Sequence, residues 1–385
     1  MELLFPSISD LFSTVLTFMF GIFVVLRFSK VVRLQQNYAL LLYLWHTLFC
    51  LVYLYYANSY GGDAMAYFRR GSQADLAEFQ VGTFFIDALV FSLIQLGISS
   101  LLSLYLFFNI IGTLGVLAFA GALRPAVFYA PPIIKGLTIV LMLLPSLHFW
   151  SSAIGKDSIS FMSTGLALWS ALDFRNRKFV FFIAVLSMFL VRPHIGFLMF
   201  FAYITSIFFD KTVSLRLKLF TFCSALGASL VAIPFLLIYV GIGNQISQDS
   251  VQIFIEARQH SNLDGGSSVN ISSMSFPLQI VTYLFRPFPF EANSITTLLS
   301  SVDNLILLLI FLLGAKNVLK INISFRSSVF LWSYSLCALI ILAMTTANLG
   351  IAVRQKWMFM PMLTYLFISA AAYSKKRDTK KIINV

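Results

Sequence analysis

At 385 residues, with 59% hydrophobic, 16% aromatic and only 11% charged side chains and a mean hydropathy of +0.88, the chain carries more apolar surface than a water-soluble fold can bury. Its formal charge of +12 would suit nucleic acid, but the basic residues fall between membrane-length apolar runs, where they report orientation instead. Alternating ten-residue strand patterns are absent, which argues against a closed barrel. The expected class is therefore all-α: a polytopic transmembrane helical bundle forming one integral membrane domain, residues 1–385, in a lipid bilayer.

In chain order, the N-terminal MELLFPSISDLF has no basic n-region and no small-residue cleavage site, so the first apolar segment is read as a retained span. Spans are expected at about Leu11 to Leu26 and Tyr38 to Tyr56, separated by Arg27, Lys30 and Arg33. A polar and aromatic outer loop follows over about 57–99, with short surface or re-entrant helices. Its apolar stretch Phe84 to Ile98 is interrupted by Asp87 and Gln95 and is taken not to span. Further spans are expected at about Leu101 to Leu123, Ile133 to Phe149, Ser158 to Phe174, Phe179 to Val191, Ile195 to Phe209, Leu219 to Val240, Leu305 to Gly314, Ser328 to Thr345 and Trp357 to Tyr373. These make about eleven. A second outer loop, about 241–303, has a Gly-, Ser- and Asn-rich middle and an amphipathic return, FPLQIVTYLFRPFPFEA.

This layout places nineteen basic and three acidic residues on the inner side, and eight basic and twelve acidic residues on the outer side. That strong positive-inside bias supports the parity and puts the C-terminus in the cytoplasm. Cys50, Cys223 and Cys337 lie inside apolar runs and are read as small buried hydrophobes. The four histidines are scattered, with no DxD or HExxH, so neither a metal nor another cofactor is expected.

The outer basic residues run against the bias and carry the functional reading: Arg69, Arg70, Lys156, Arg192, Arg258, Arg286, Arg354 and Lys356. They either balance outer acids or bind an anion. In GKDS, Asp157 and Ser158 suit a helix cap with Lys156 snorkelling outward. The same geometry would offer free amides and an ammonium to a phosphate. In VRPH, Pro193 marks a turn that leaves Arg192 and His194 at the outer surface, where a neutral imidazole can act as general base. Arg286 can pair with Glu291 or hold an anion in LFRPFPFE, and Arg354 and Lys356 precede the last span as anchors or ligands. Asp63, after two glycines in YGGDAMAYF, is either a helix cap or a carboxylate held close to a ligand. His260, in EARQH, is a possible proton shuttle, and His46 is read as a satisfied packing histidine.

An outward ring of Arg and Lys with a His and an Asp suits chemistry on a membrane-borne diphosphate, because guanidinium groups bind it in bidentate form and stabilise it on departure. The motifs YGGDAMAYF, FWSSAIGKDS, VRPH, FRPFPFE and NLGIAVRQKWMFMP resemble those of bacterial O-antigen and exopolysaccharide polymerases of the Wzy type and, more distantly, C-type glycosyltransferases. The resemblance implies a metal-independent glycosyltransferase of the bacterial inner membrane. It would transfer an undecaprenyl-diphosphate-linked oligosaccharide onto another lipid-linked repeat unit at the periplasmic face, with flippase and chain-length regulator proteins as partners. His194 and Asp63 are the expected catalytic residues. The expected substrate ligands are Arg69, Arg70, Lys156, Asp157, Arg192, Arg258, His260, Arg286, Glu291, Arg354 and Lys356. In C-type glycosyltransferases the catalytic Asp follows the first span, whereas Asp63 follows the second. A single-sugar C-type transferase and a polysaccharide-precursor flippase are the alternatives; the flippase would need ionisable residues and broken helices at mid-membrane.

Overall fold

A computed structural model describes residues 7–73, 80–240, 248–260, 267–321 and 323–383. Residues 261–266, in the polar middle of the second outer loop, lie outside them. The described chain is helical, and its one β-type pairing is an isolated antiparallel bridge between Ser268 and Asn348. Six stretches are long and apolar enough to cross a membrane: α1 (Ile8–Val31), α2 (Gln36–Tyr60), α5 (Leu101–Val127), Pro132–Ser151, α14 (Ile295–Ala315) and α15 (Phe325–Thr345). A seventh is α11 (Leu215–Val240), bent by 42°. Shorter apolar helices are α4 (Thr83–Gln95), α10 (Pro193–Phe209), α13 (Phe276–Phe285) and the Met360–Tyr373 part of α17 (Met360–Ile383). The chain is a multi-pass membrane protein.

The first three long helices set the frame. Ser7 caps α1 by accepting from the Asp10 amide. Asp10 then accepts from Ser99 at 2.9 Å, and Thr14 meets Ser100 at 3.1 Å, joining the starts of α1 and α5. At the other end, Arg124 of α5 donates to the carbonyl of Arg33, just past α1. Helices α1 and α5 are thus parallel, with α2 running back beside them. The chain therefore leaves α2 and enters α5 at the same end of the bundle. Between those points lie α3 (Asp63–Gly71) and α4, and α4, at 13 residues, is about 20 Å long. That is shorter than the hydrocarbon core of roughly 30 Å.

Helix α5 is the centre, buried around most of its circumference. It crosses α8 (Lys156–Ala171) at a glycine contact: a Cβ on Gly165 would sit 2.3 Å from the Gly115 carbonyl oxygen, and one on Gly115 would sit 2.7 Å from the Met162 Cα. Lipid offers no hydrophobic drive for helices to associate, so small residues that permit backbone approach and dispersion contact serve instead. Outward, α1 exposes Phe12, Phe20 and Phe23, and α11 exposes Leu226 and Leu230, the apolar faces that lipid tails cover. Cys50 is buried, but Cys223 and Cys337 are on exposed helix surface. Their apolar runs face outward, which corrects the expectation that all three are buried.

Two elements depart further from the sequence reading. The expected span from Ile133 to Phe149 is present as the apolar stretch Pro132–Ser151, but it is interrupted at Leu143–Leu144 between α6 (Pro132–Met142) and α7 (Pro145–Ser151), because Pro145 starts a new helix. Helix α14 begins at Ile295, capped by Ser294 accepting from the Thr297 amide at 3.2 Å; the short span from Leu305 is expected to borrow residues from Asn304 and before, and it takes ten of them. The second outer excursion therefore ends near 294, not 303. It contains α12 (Gln248–His260) and α13, and it is pinned to α16 (Leu349–Gln355) by backbone bonds at Ser267, Val269, Ala347 and Leu349. Asp303, counted among the outer acids, lies inside α14 and is buried.

Candidate active site at the acidic end of the bundle

At the end where α2 finishes and α5 and α8 begin, four elements bring charged side chains together. Helix α8 starts after Gly155, whose φ of +152° suits glycine alone. Tyr67 of α3 packs where a Cβ on Gly155 would lie, at 3.4 Å. No side chain caps α8, so neither Asp157 nor Ser158 acts as a helix cap. Asp157 instead bridges two arginines: its Oδ1 accepts from Arg192 Nη2 at 2.7 Å, and its Oδ2 accepts from Arg354 Nε. Arg192 sits between α9 (Phe174–Val191) and α10, and Arg354 lies on α16. Arg354 Nη1 also donates to Asp63 Oδ2 at 2.7 Å, at the start of α3, so Asp63 is an ion-pair partner and not a cap.

The side chains of Asp157 and Arg192 are each 12% exposed, that of Arg354 21% and that of Asp63 55%. The arrangement thus runs from an enclosed carboxylate outward to an open one. Burial opposes ionisation of Asp157, but Arg354 and Arg192 outweigh it and hold the carboxyl below its ordinary range. For Arg354 burial likewise disfavours the charge, and Asp157 and Asp63 more than restore it. Lys156 does not snorkel into solvent. It donates to Thr83 Oγ1 at the head of α4, at 3.1 Å, and burial, reinforced by Arg192, pushes its ammonium down to about 8.

Ser160 and Trp150 join these residues without having been anticipated. Ser160 Oγ accepts from Arg192 Nε at 3.2 Å, and its i, i+3 spacing from Asp157 was the available signal. The Arg354 guanidinium lies 5.5 Å from the centre of the Trp150 ring, which in turn meets Tyr53 edge to face. Beneath the Asp157–Arg354 pair is a void of about 10 Å³ lined by Ser160, Trp357 and Met358, room for about one water. The charges are mutually satisfied and closely packed.

The other expected residues are placed as follows. His194 is within electrostatic reach of Arg192, Arg258 and Lys156, with a buried Nδ1 that has no hydrogen-bond partner. Arg258 is exposed on α12 and lies over Phe254, and His260 ends the same helix, exposed. Arg69 is exposed. Arg70 pairs with buried Asp87 at 2.9 Å, fastening α3 to α4. Arg286 Nε donates to Glu291 at 2.8 Å, and Glu291 also accepts from the Phe288 amide at 2.7 Å. These bonds, Arg286 first, hold the Glu291 carboxyl below its usual range. They close a local turn separate from the Asp157 pairs.

Lys356, expected beside Arg354 at the surface, is fully enclosed. It donates to the Asn304 side chain and, at 3.2 Å, to the Leu284 carbonyl. A polar seam runs on from there. Asn304 donates to the Pro287 carbonyl at 3.1 Å, and the Ser146 amide at the head of α7 donates to Asp303 Oδ2 at 2.7 Å. Asp303 is eight residues into α14, about 12 Å from its start. Neither residue has a nearby flag in sequence except an acid within an apolar run. His46 is not a solitary packing residue either. Its Nδ1 meets His148 Nδ1 at 2.8 Å, and His148 Nε2 lies 2.7 Å from the Met142 carbonyl. That carbonyl makes His148 Nε2 the donor, which leaves His148 Nδ1 as the acceptor within the pair. Among the described residues no group of His, Cys, Asp and Glu is arranged to hold a metal.

Compared with protein-family profiles, with curated proteins and with solved structures, the chain matches none.

Proposed function

We propose that the chain is a metal-independent glycan polymerase. It acts on an undecaprenyl-diphosphate-linked oligosaccharide at the periplasmic face of a bacterial inner membrane, with about eleven spans and a cytoplasmic C-terminus. On that count α8 and α10, at 16 and 17 residues, cross as short segments of about 24–26 Å. The reading rests on one observation: Asp157 held between Arg192 and Arg354, with Asp63 and Lys156 beside them, at the end of the bundle opposite the basic loops.

The chemistry follows from the unequal exposure of the two carboxylates. Asp157 keeps two guanidinium groups oriented, and their remaining N–H donors can face a diphosphate. Arg354 is shared with the open carboxylate of Asp63. When a donor diphosphate takes the Arg354 Nη1 donor, Asp63 is released. A free carboxylate there can accept the proton of the acceptor sugar hydroxyl as that oxygen bonds to the anomeric carbon and the carbon–diphosphate bond breaks. The departing charge stays on the diphosphate, against Arg192, Arg354 and Lys156. His194, with its enclosed nitrogen, is the competing base.

The test is the glycan profile of a strain lacking the gene and complemented with variants expressed at normal level. Asp63→Asn, Arg192→Ala and Arg354→Ala should each leave single capped repeats and abolish long chains. Normal chain lengths in all three would refute the reading, and an incomplete repeat in the deletion strain would assign a C-type sugar transferase. His194→Gln losing turnover while Asp63→Asn retains it would move the base to His194.

A second reading, a precursor flippase, is favoured by a separate observation. The α6–α7 helix is broken, with the α7 amide end on Asp303, and Lys356 is enclosed in the same seam; ionisable residues at helix breaks characterise transport sites. Accumulation of the complete lipid-linked repeat at the cytoplasmic face on deletion would select it.

A further inference from the structure

Two large cavities lie at the other end of the bundle. A cavity of about 660 Å³ opens where α1, α5 and α8 end and α9 and α15 begin, with Arg33, Arg124, Arg177 and Asp173 in its wall. A second cavity of about 680 Å³ shares the wall formed by Leu172, Asp173, Ser324 and Ser327, and adds Arg175, Lys211, Arg326 and Asp210. Together they are lined by six cations and two carboxylates.

The cations outnumber the carboxylates and are positioned chiefly by other contacts. Arg177 lies 3.8 Å from the Trp169 ring and donates one Nη1 bond to the Trp169 carbonyl at 2.6 Å, while Asp173 stands 4.0 Å from its Nε, beyond hydrogen-bond length. Arg124 gives one Nη1 bond to the Arg33 carbonyl. Those contacts use one of the five N–H donors of each guanidinium. Arg326 stacks on Phe174 and Tyr203, and its buried Nε has no hydrogen-bond partner. Arg33 adopts φ of +59° and is the one positive-φ non-glycine among the described residues. The left-handed region disfavours a residue with a Cβ, so an arginine here sets a charge at the cavity mouth where glycine would be the unstrained choice. Beside that mouth, Val31, Phe128 and Tyr129 are 55%, 57% and 78% exposed, an apolar flank continuous with the lipid-facing surface of the helices.

We infer that this double cavity binds the phosphodiester headgroup of an anionic membrane lipid, with guanidinium groups on the phosphate and the acyl chains lying along Val31 and Phe128. The charge selects a phosphate, and the apolar flank selects one that carries a tail. Basic pockets between transmembrane helices recognise acidic headgroups in this way. The site is separate from the proposed glycan site and stands whether or not that reading holds.

The test uses the full chain in phosphatidylcholine nanodiscs containing a minor fraction of phosphatidylglycerol. Phosphatidylglycerol retained by the protein is measured in the absence of any glycan. The wild-type chain should be enriched in phosphatidylglycerol, and Arg33→Gly, Arg124→Gln and Arg177→Gln should each lower its apparent affinity about fivefold. Lys316→Gln and Lys320→Gln, exposed at the same end but outside the cavity walls, should not. Arg33→Gly removes the unfavourable backbone conformation, so its melting temperature should equal or exceed that of the wild type, and its loss of lipid cannot be ascribed to misfolding. Equal losses in the cavity and control variants would reduce the effect to a general basic belt and overturn the site. Displacement of phosphatidylglycerol by inorganic phosphate or glycerophosphate at matched concentration would overturn the lipid assignment in favour of a soluble anion. No enrichment in the wild type would overturn both.

Discussion

The two ends of the bundle treat arginine in opposite ways. At the acidic end, Arg192 and Arg354 are locked to Asp157 and Asp63 around a void of about 10 Å³. At the basic end, Arg33, Arg124 and Arg177 line hundreds of cubic ångströms with one nearby carboxylate. Closely paired charges are rigid and hold a defined arrangement, and an incoming anion must exchange with a carboxylate to reach them. Cations in excess of carboxylates at an open cavity attract an anion without such exchange. The first arrangement suits a site in which binding is coupled to release of a proton acceptor; the second suits a resident ligand.

The largest effect that would test this contrast is on stability. Asp157→Asn leaves the enclosed Arg192 guanidinium without its counter-charge and Arg354 with Asp63 alone, and breaking a buried ion pair from one side costs about 3 kcal/mol. A large fall in melting temperature in detergent is expected, with partial recovery when Arg192→Leu is added, because the second change removes the uncompensated charge. A neutral outcome for Asp157→Asn would mean the acidic end is wetter and looser than its geometry.

Next in size is a pH effect at the same end. Lys156 is pushed down to about 8 by burial and by Arg192, so its positive charge is present below that pH and lost as pH rises through it. Anion affinity that depends on Lys156 should fall by up to about tenfold between pH 7 and 9, read by titrating a diphosphate-bearing lipid. Lys156→Arg should flatten the profile, since a guanidinium stays charged across that range. The smallest effect belongs to the basic end. Asp173→Asn should change stability by no more than about 0.5 kcal/mol, because its pairing with Arg177 is long and screened by solvent. A loss as large as that of Asp157→Asn would erase the distinction between the ends.

Much of the acidic-end chemistry was legible as residue types out of place. Lys156, Arg192 and Arg354 were singled out because basic residues on the outer side run against the positive-inside bias, Asp157 as the neighbour of Lys156 in GKDS, and Asp63 because it follows two glycines. Their roles in the site were less legible. Arg70 stood out for the same reason and proves to be a fastener between α3 and α4. Lys356, two residues from Arg354, is turned inward to Asn304; the tight turn after α16 directs neighbouring side chains oppositely. Asp303 was assigned to a loop because the apolar window on its C-terminal side was the stronger signal, whereas the Ser294 cap set the true start of α14.

The sequence by itself determined that this is a multi-pass helical membrane protein, since apolar length and composition are local quantities and lipid leaves the backbone few alternatives to the helix. It also determined that the chain is asymmetric in charge from end to end. Only the tertiary structure decided which outer charges meet, because the pairs joining Asp157 to Arg192, Asp157 to Arg354 and Asp63 to Arg354 span 35, 197 and 291 positions and contacts at that range leave no periodic trace. It alone decided, too, that cavities of several hundred cubic ångströms lie at the basic end, while the described charged residues at the acidic end are closely packed. That depends on how closely helices approach, as at Gly115 and Gly165, and side-chain packing across several elements is a property of no single stretch of chain.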